Sequence, residues 1–172
     1  MKPALLLASI LLKSLSLLAQ DTLYTSAENL RQHNYRLVKT KISWNNSITC
    51  NALEDSNKRY GSDSLFLLLA KKLTHRFYYK QPVTLFYSDS LICLYSSTNG
   101  NGLKNNPIVE SYYFSTQLDS PIYKFTLNNL IIIYPNATPT LLGFVNASDT
   151  DLAQWDSRFQ LPRIAYLLQH LH

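Results

Sequence analysis

The sequence predicts an α+β domain: a mostly antiparallel, meander-like sheet packed on a long central helix, with a short N-terminal helix and a C-terminal helix. Three observations predict it. A stripe of Phe66, Leu69, Ala70, Leu73 and Phe77 recurs at helical spacing over residues 64–79. After Pro82 a succession of short apolar runs, rich in the chain's twelve tyrosines, is punctuated by turn-forming residues. A capped, acidic-to-basic segment then closes the chain from Ser148.

The elements follow in order. Thr25 with Glu28 three positions on gives a capping-box pattern for a short helix over 25–33. In YRLVKTKISW, Val38, Ile42 and Trp44 alternate with Lys39 and Lys41, the mark of a half-buried strand. Asn45-Asn46 turns the chain into SITCNAL, where Ile48, Cys50 and Ala52 share a face, so these two runs predict a hairpin. Ser62 or Asp63 is placed to cap the long helix, and Lys71, Lys72, His75 and Arg76 suit its C-terminal end through the helix dipole.

Pro82 is expected to end that helix. VTLFY and LICLY flank Ser88-Asp89-Ser90 as a second hairpin. IVESYYFST, PIYKFTL, LIIIY and TLLGFV continue the strands, with Asn128-Asn129 read as a tight turn because Asn tolerates positive φ. In the closing segment, Pro162 is expected to kink or split a helix. No internal repeat or interdomain linker is visible, so residues 21–172 are read as one domain.

The first twenty residues, MKPALLLASILLKSLSLLAQ, read as a cleaved export signal. A basic start (Lys2) precedes an apolar run from Ala4 to Leu12, and the first acidic residue is Asp21. Lys13 interrupts the apolar core, and a leucine stands where a small residue is usual before the cut. The apolar run is about half the ~20 residues a membrane-spanning helix needs, and later runs such as 65–70 and 130–134 are shorter still. The expected destination is therefore secreted or periplasmic, with no membrane span after the leader is removed.

The formal charge is +5 and falls to +3 without Lys2 and Lys13. The surplus is uneven: residues 31–80 hold ten Lys/Arg against three acids, whereas 81–172 hold four against six. The cations lie singly or in pairs and no RNA-binding signature accompanies them, so the expectation is a solvated positive face and no nucleic acid.

Cys50 and Cys93 are the only cysteines. An oxidising compartment favours joining them, and closing that loop would contribute about 4 kcal/mol in the chain-entropy model. The alternative is two buried thiols that fill core volume. Asn45, Asn136 and Asn146 begin N-x-S/T sequons, glycan acceptors if a eukaryotic cell makes the protein.

No catalytic motif emerges. There is no nucleophile elbow, and Gly61-Ser62-Asp63-Ser64 reads as a helix cap. Cys93 and His75 have nothing in sequence to bring them together as a pair. Asp149-Thr150-Asp151 sits at a helix start, where carboxylates suit the dipole better than they indicate a metal. His170 and His172 lie on different faces of any terminal helix, NGNG at 99–102 lacks the carboxylates of a calcium loop, and no phosphate-cradling glycine loop occurs. No cofactor or metal is expected.

What stands out is aromatic. Adjacent strand residues point to opposite faces, so Tyr112, Tyr113 and Phe114 cannot all be core on a one-sided sheet, and one of them is a candidate contact for a ligand or partner. The expected function is a small exported, non-catalytic binding or interaction domain whose partner is a protein or a small apolar ligand. The alternatives are an exported enzyme with dispersed catalytic residues, and a secreted effector, inhibitor or viral glycoprotein.

Overall fold

The computed structural model describes residues 20–42, 48–55, 57–99, 107–144 and 149–170. Residues 1–19 of the expected leader, Trp44, the sequons at Asn45 and Asn146, the 100–106 loop and His172 lie outside them. The chain divides into two compact units, Met1–Pro82 and Val83–His172.

The first unit is an antiparallel sheet of six strands: β1 (Asp21–Tyr24), β2 (Arg36–Ile42), β3 (Ile48–Ala52), β4 (Arg59–Tyr60), β5 (Leu67–Ala70) and β6 (Leu73–Tyr78), in the order β6-β5-β1-β2-β3-β4. A short helix α1 (Ala27–Arg31) links β1 to β2, one residue later than the capping box suggests. Ser26 is its cap, accepting the Asn29 N–H at 3.1 Å, while Thr25 accepts the Asn29 side-chain amide at 2.8 Å. The β2–β3 pairing follows the predicted alternation. Val38, Ile48, Cys50 and Ala52 are buried, and Lys39 and Lys41 are exposed. Leu23, Tyr60, Leu65, Leu68 and Ala70 complete this core.

The long central helix does not form. Residues 64–79 instead begin with one 3₁₀ turn (Ser62–Ser64), closed by Ser64 N–H to the Gly61 carbonyl at 3.0 Å, and continue as the β5–β6 hairpin. Leu69, Ala70 and Leu73 keep their helical spacing on paper, but the chain reverses between Ala70 and Leu73 through Lys71 (φ 50°) and Lys72 (φ 67°).

The second unit contains a four-strand antiparallel meander: β7 (Gln81–Ser88), β8 (Cys93–Asn99), β9 (Val109–Ser115) and β10 (Tyr123–Lys124). Pro82 is therefore the second residue of a strand rather than the end of a helix, close to the strand start where its missing N–H is tolerated. A bulge at Phe86 shifts the β7–β8 register. Two runs expected as strands are helical: α2 (Leu127–Ile133) takes in LIII of LIIIY, with Tyr134 as its C-cap, and α3 (Thr138–Leu142) follows a 3₁₀ turn at Pro135–Ala137. Asn128-Asn129 is thus the first turn of α2, capped by Thr126, whose hydroxyl accepts the Asn129 N–H at 3.2 Å.

The closing segment is split more deeply than a proline kink. Helix α4 (Asp149–Ala153) gives way to a two-strand ribbon, β11 (Trp155–Asp156) with β12 (Leu161–Pro162), before α5 (Arg163–Gln169). Pro162 caps α5, where fixed φ and the absence of a donor cost nothing. Leu130, Leu141, Leu152, Ile164, Ala165 and Leu168 from these helices bury against Leu94 and Phe114 of the sheet. None of the helices among the described residues is long, and none is long and apolar enough to cross a membrane.

Candidate interaction surface

The β11–β12 ribbon and the loop it closes present two exposed aromatic side chains, Trp155 and Phe159, close to α5. Asp156 organises the ribbon. Its carboxylate accepts the Arg158 backbone N–H at 2.9 Å and the Arg158 guanidinium at 3.4 Å, with Arg163 Nε at 3.9 Å. The Arg158 bonds, then the charge of both guanidinium groups, hold the Asp156 carboxyl below its ordinary pKa. Gln160 (φ 57°) takes the left-handed conformation that turns the chain back.

That turn delivers Phe159 onto α5. Its ring stacks on Tyr166 with centroids 3.8 Å apart and planes 19° off parallel, and Tyr166 stacks in turn on His170 at 4.2 Å and 27°. Tyr166 and His170 are four residues apart on one helix face, so the helix itself sets their spacing. The Arg158 guanidinium lies over the Phe159 ring, 5.5 Å from its centroid, at cation–π distance. The His170 Nδ1 donates to the Tyr166 carbonyl at 2.8 Å, which leaves Nε2 as the ring's acceptor when neutral. Phe159 and His170 are exposed and Tyr166 is half-buried. Trp155, more than half exposed, meets Tyr87 edge-on at 6.3 Å.

A polar cluster fixes α5 to the β7–β8 turn. Asp89 Oδ1 accepts the N–H groups of Leu91 (2.7 Å) and Ile92 (2.8 Å), and Oδ2 accepts the Tyr87 hydroxyl (2.8 Å) and the Gln169 amide (2.9 Å). Burial, then the bond to Asp89, pushes the Tyr87 phenol up to about 12. The phenol therefore stays protonated and serves as a donor, not as an acid or base near neutral pH. Burial also raises the Tyr134 phenol, which donates to the Leu91 carbonyl at 2.8 Å.

The aromatic run singled out in the sequence packs instead. Phe114 is fully buried among Tyr123, Phe125 and Tyr134. Tyr113, on the opposite face, is 7% exposed beside Tyr95. Tyr112 is half-buried, edge-on to Phe86 at 6.0 Å. The sheet is thus covered on both faces here, which a one-sided reading of the alternation did not allow for. The sequence marks His170 only beside His172 and singles out neither Phe159 nor Tyr166, because a helix kinked or split at Pro162 does not bring Phe159 back onto the segment that follows it. The four-residue step from Tyr166 to His170 was the available signal.

Of the other candidates, Asn136 is exposed on its 3₁₀ turn. Cys50 and Cys93 are both buried and unbonded. The Cys50 thiol lies 3.9 Å from the Thr40 hydroxyl, and Cys93 lies 3.3 Å from that of Ser88. Asp149 and Asp151 belong to α4, at the helix start anticipated for them. Among the described residues no group of three His, Cys, Asp or Glu side chains could hold a metal ion.

No family model, curated protein or solved structure matches this chain.

Proposed function

We propose that the chain is a small exported binding domain without catalysis of its own, making contact through the aromatic face of its C-terminal ribbon and helix. The observation that carries this reading is the Arg158–Phe159–Tyr166–His170 series, with three rings in van der Waals register and the end members open to solvent. Stacked rings held by backbone turns lose little conformational freedom on binding, which makes them effective contact residues. The partner is a protein or a small apolar ligand that buries this face. Export is supported by the composition of residues 1–20.

Two measurements test the two halves of the proposal. Mass spectrometry of secreted material is expected to find a new N-terminus near Asp21, and retention of Met1 rejects the leader. For binding, a photoreactive phenylalanine analogue at position 159 is expected to cross-link one defined species. The same label at exposed Glu110 should not, and Tyr166→Ala should abolish the product. Equal cross-linking from both positions, or none from 159 together with no small molecule retained in native mass spectra, overturns it.

A further inference from the structure

The charge asymmetry of the sequence resolves into a specific surface of the first unit. From Gln20 to Pro82 the chain carries ten Lys/Arg and five Asp/Glu. The acids are committed. Glu28 pairs with Arg31, Glu54 with Arg36 and Asp63 with Lys80, at 3.4–3.8 Å. Asp21 accepts the Thr40 N–H and Asp55 accepts the Asn57 N–H. Those three pairs account for Arg31, Arg36 and Lys80, and none of the three lies on the outer face of β2–β4.

On that outer face, cross-strand register brings three of the seven other cations together. Lys39 of β2 is opposite Asn51 of β3, and Asn51 is opposite Arg59 of β4, while Lys41 is opposite Thr49. Lys39, Lys41, Thr49 and Arg59 are exposed, and Asn51 is half-buried between them. Strands lie about 4.8 Å apart and alternate residues about 7 Å apart along a strand, so the cations form an array with steps of ~7 Å and ~10 Å. Their own core-facing neighbours, Val38 and Cys50, fix the strand orientation, since a one-residue slip would bury the lysines. Among the described residues no ion pair involves Lys39, Lys41 or Arg59.

We propose that this face binds a linear sulfated polysaccharide, its sulfates lying across Lys39, Lys41 and Arg59 and its hydroxyls meeting Asn51 and Thr49. Sulfate esters stay ionised at all physiological pH values, and a repeating polyanion can neutralise several spaced cations at once, which a single small anion cannot. Single-stranded nucleic acid would want an aromatic side chain on which to stack bases, and the Lys39–Asn51–Arg59 row contains none. An anionic membrane would want several exposed apolar side chains to insert; the row itself offers none, and the neighbouring Leu53, 47% exposed just past β3, is one such side chain against three cations. The preference for an extracellular polymer also rests on the export proposal, but the binding is measured on purified protein and stands or falls separately from the leader.

The test uses immobilised heparin as probe, with purified chain at physiological salt. Retention is expected, with elution as salt rises, because attraction between exposed charges is screened. The triple variant Lys39→Ser/Lys41→Ser/Arg59→Ser should bind at least tenfold more weakly, while Arg31→Ser/Lys80→Ser should elute with the parent. The charge-conserving Lys39→Arg/Lys41→Arg/Arg59→Lys should also be retained. If the triple variant fails to fold, lysine acetylation of the parent replaces it: heparin should protect Lys39 and Lys41 but not Lys80. Passage of the parent through the column, co-elution of triple variant and parent, equal protection of Lys80, or equal competition by a single-stranded oligonucleotide or phosphatidylserine vesicles overturns the proposal.

Discussion

The Tyr87 hydroxyl donates to Asp89 Oδ2 at 2.8 Å, and the Gln169 amide reaches the same oxygen from the last turn of α5 at 2.9 Å. Residues some eighty positions apart thus share one carboxylate, whose other oxygen is saturated by Leu91 and Ile92 N–H groups. Burial pushes the Asp89 carboxyl up, but the Ile92 and Leu91 N–H groups, with Tyr87 and Gln169, outweigh it and hold the pKa below its ordinary value. A lowered carboxyl contributes stability above its unfolded pKa and loses it as pH falls through the folded one. Asp89→Ala should cost about 2 kcal/mol, since it orphans several donors together. Chemical denaturation at pH 7 measures it, and a cost under about 0.5 kcal/mol would mean water replaces the carboxylate at no loss.

Lys71 and Lys72 make the β5–β6 turn with positive φ at both positions, a conformation that costs a side-chain-bearing residue about 1 kcal/mol or more. Lys71→Asn/Lys72→Gly is therefore expected to raise the melting temperature, by about 1 kcal/mol or more of added stability. Glycine also enlarges the unfolded ensemble, which offsets part of the gain. A drop in stability would show that residues 71–72 do not form this turn.

That same turn explains why the hairpin was illegible in the sequence. Two-residue reversals announce themselves through Asn or Gly, and Lys-Lys carries neither. Without punctuation, the spacing of Phe66, Leu69, Ala70, Leu73 and Phe77 reads as one helix stripe. The alternation of Leu68 and Ala70, then His75 and Phe77, describes the same residues as strands. The reverse error occurred at 127–134. There β-branched Ile131, Ile132 and Ile133 suggest a strand, but Leu127, Leu130, Ile131 and Tyr134 reach the core at helical spacing and leave Ile132 exposed. Tertiary burial overrides propensity in such a run. By contrast β2 and β3 were legible, because Lys39 and Lys41 mark their wet face against Val38 and Cys50. The aromatic stack was not, because its first member, Phe159, arrives through a turn of Ser157, Arg158 and Gln160 that carries no glycine.

Cys50 is buried in β3 with its thiol pushed up to about 11, first by burial and then, after a smaller opposing effect of Thr40, by Asp21. The thiolate is the reactive form, so almost none is present at pH 8. An alkylating reagent should label Cys50 in the native protein far more slowly than in guanidinium-unfolded protein. Non-reducing peptide mapping of the same sample reads the bonding state directly. Two free thiols agree with the unbonded arrangement, whereas a Cys50–Cys93 cross-linked peptide would show that the protein is bridged.

His75 supplies a pH dependence of the opposite chemical origin in the first unit. Its ring is buried beside the Leu68 position of β5, and burial lowers its pKa from the ordinary 6.5, against a smaller upward pull from Asp21. Because the unfolded chain binds the proton more readily, protonation favours unfolding. Stability is complete above about pH 7 and declines as pH falls through 6.5 towards the folded value. His75→Gln, which keeps a polar side chain but cannot titrate, should flatten that slope between pH 7.5 and 5.5, before carboxylates contribute. Thermal melts across this interval decide the matter: parallel curves for parent and variant would mean that His75 titrates alike in the folded and unfolded chain.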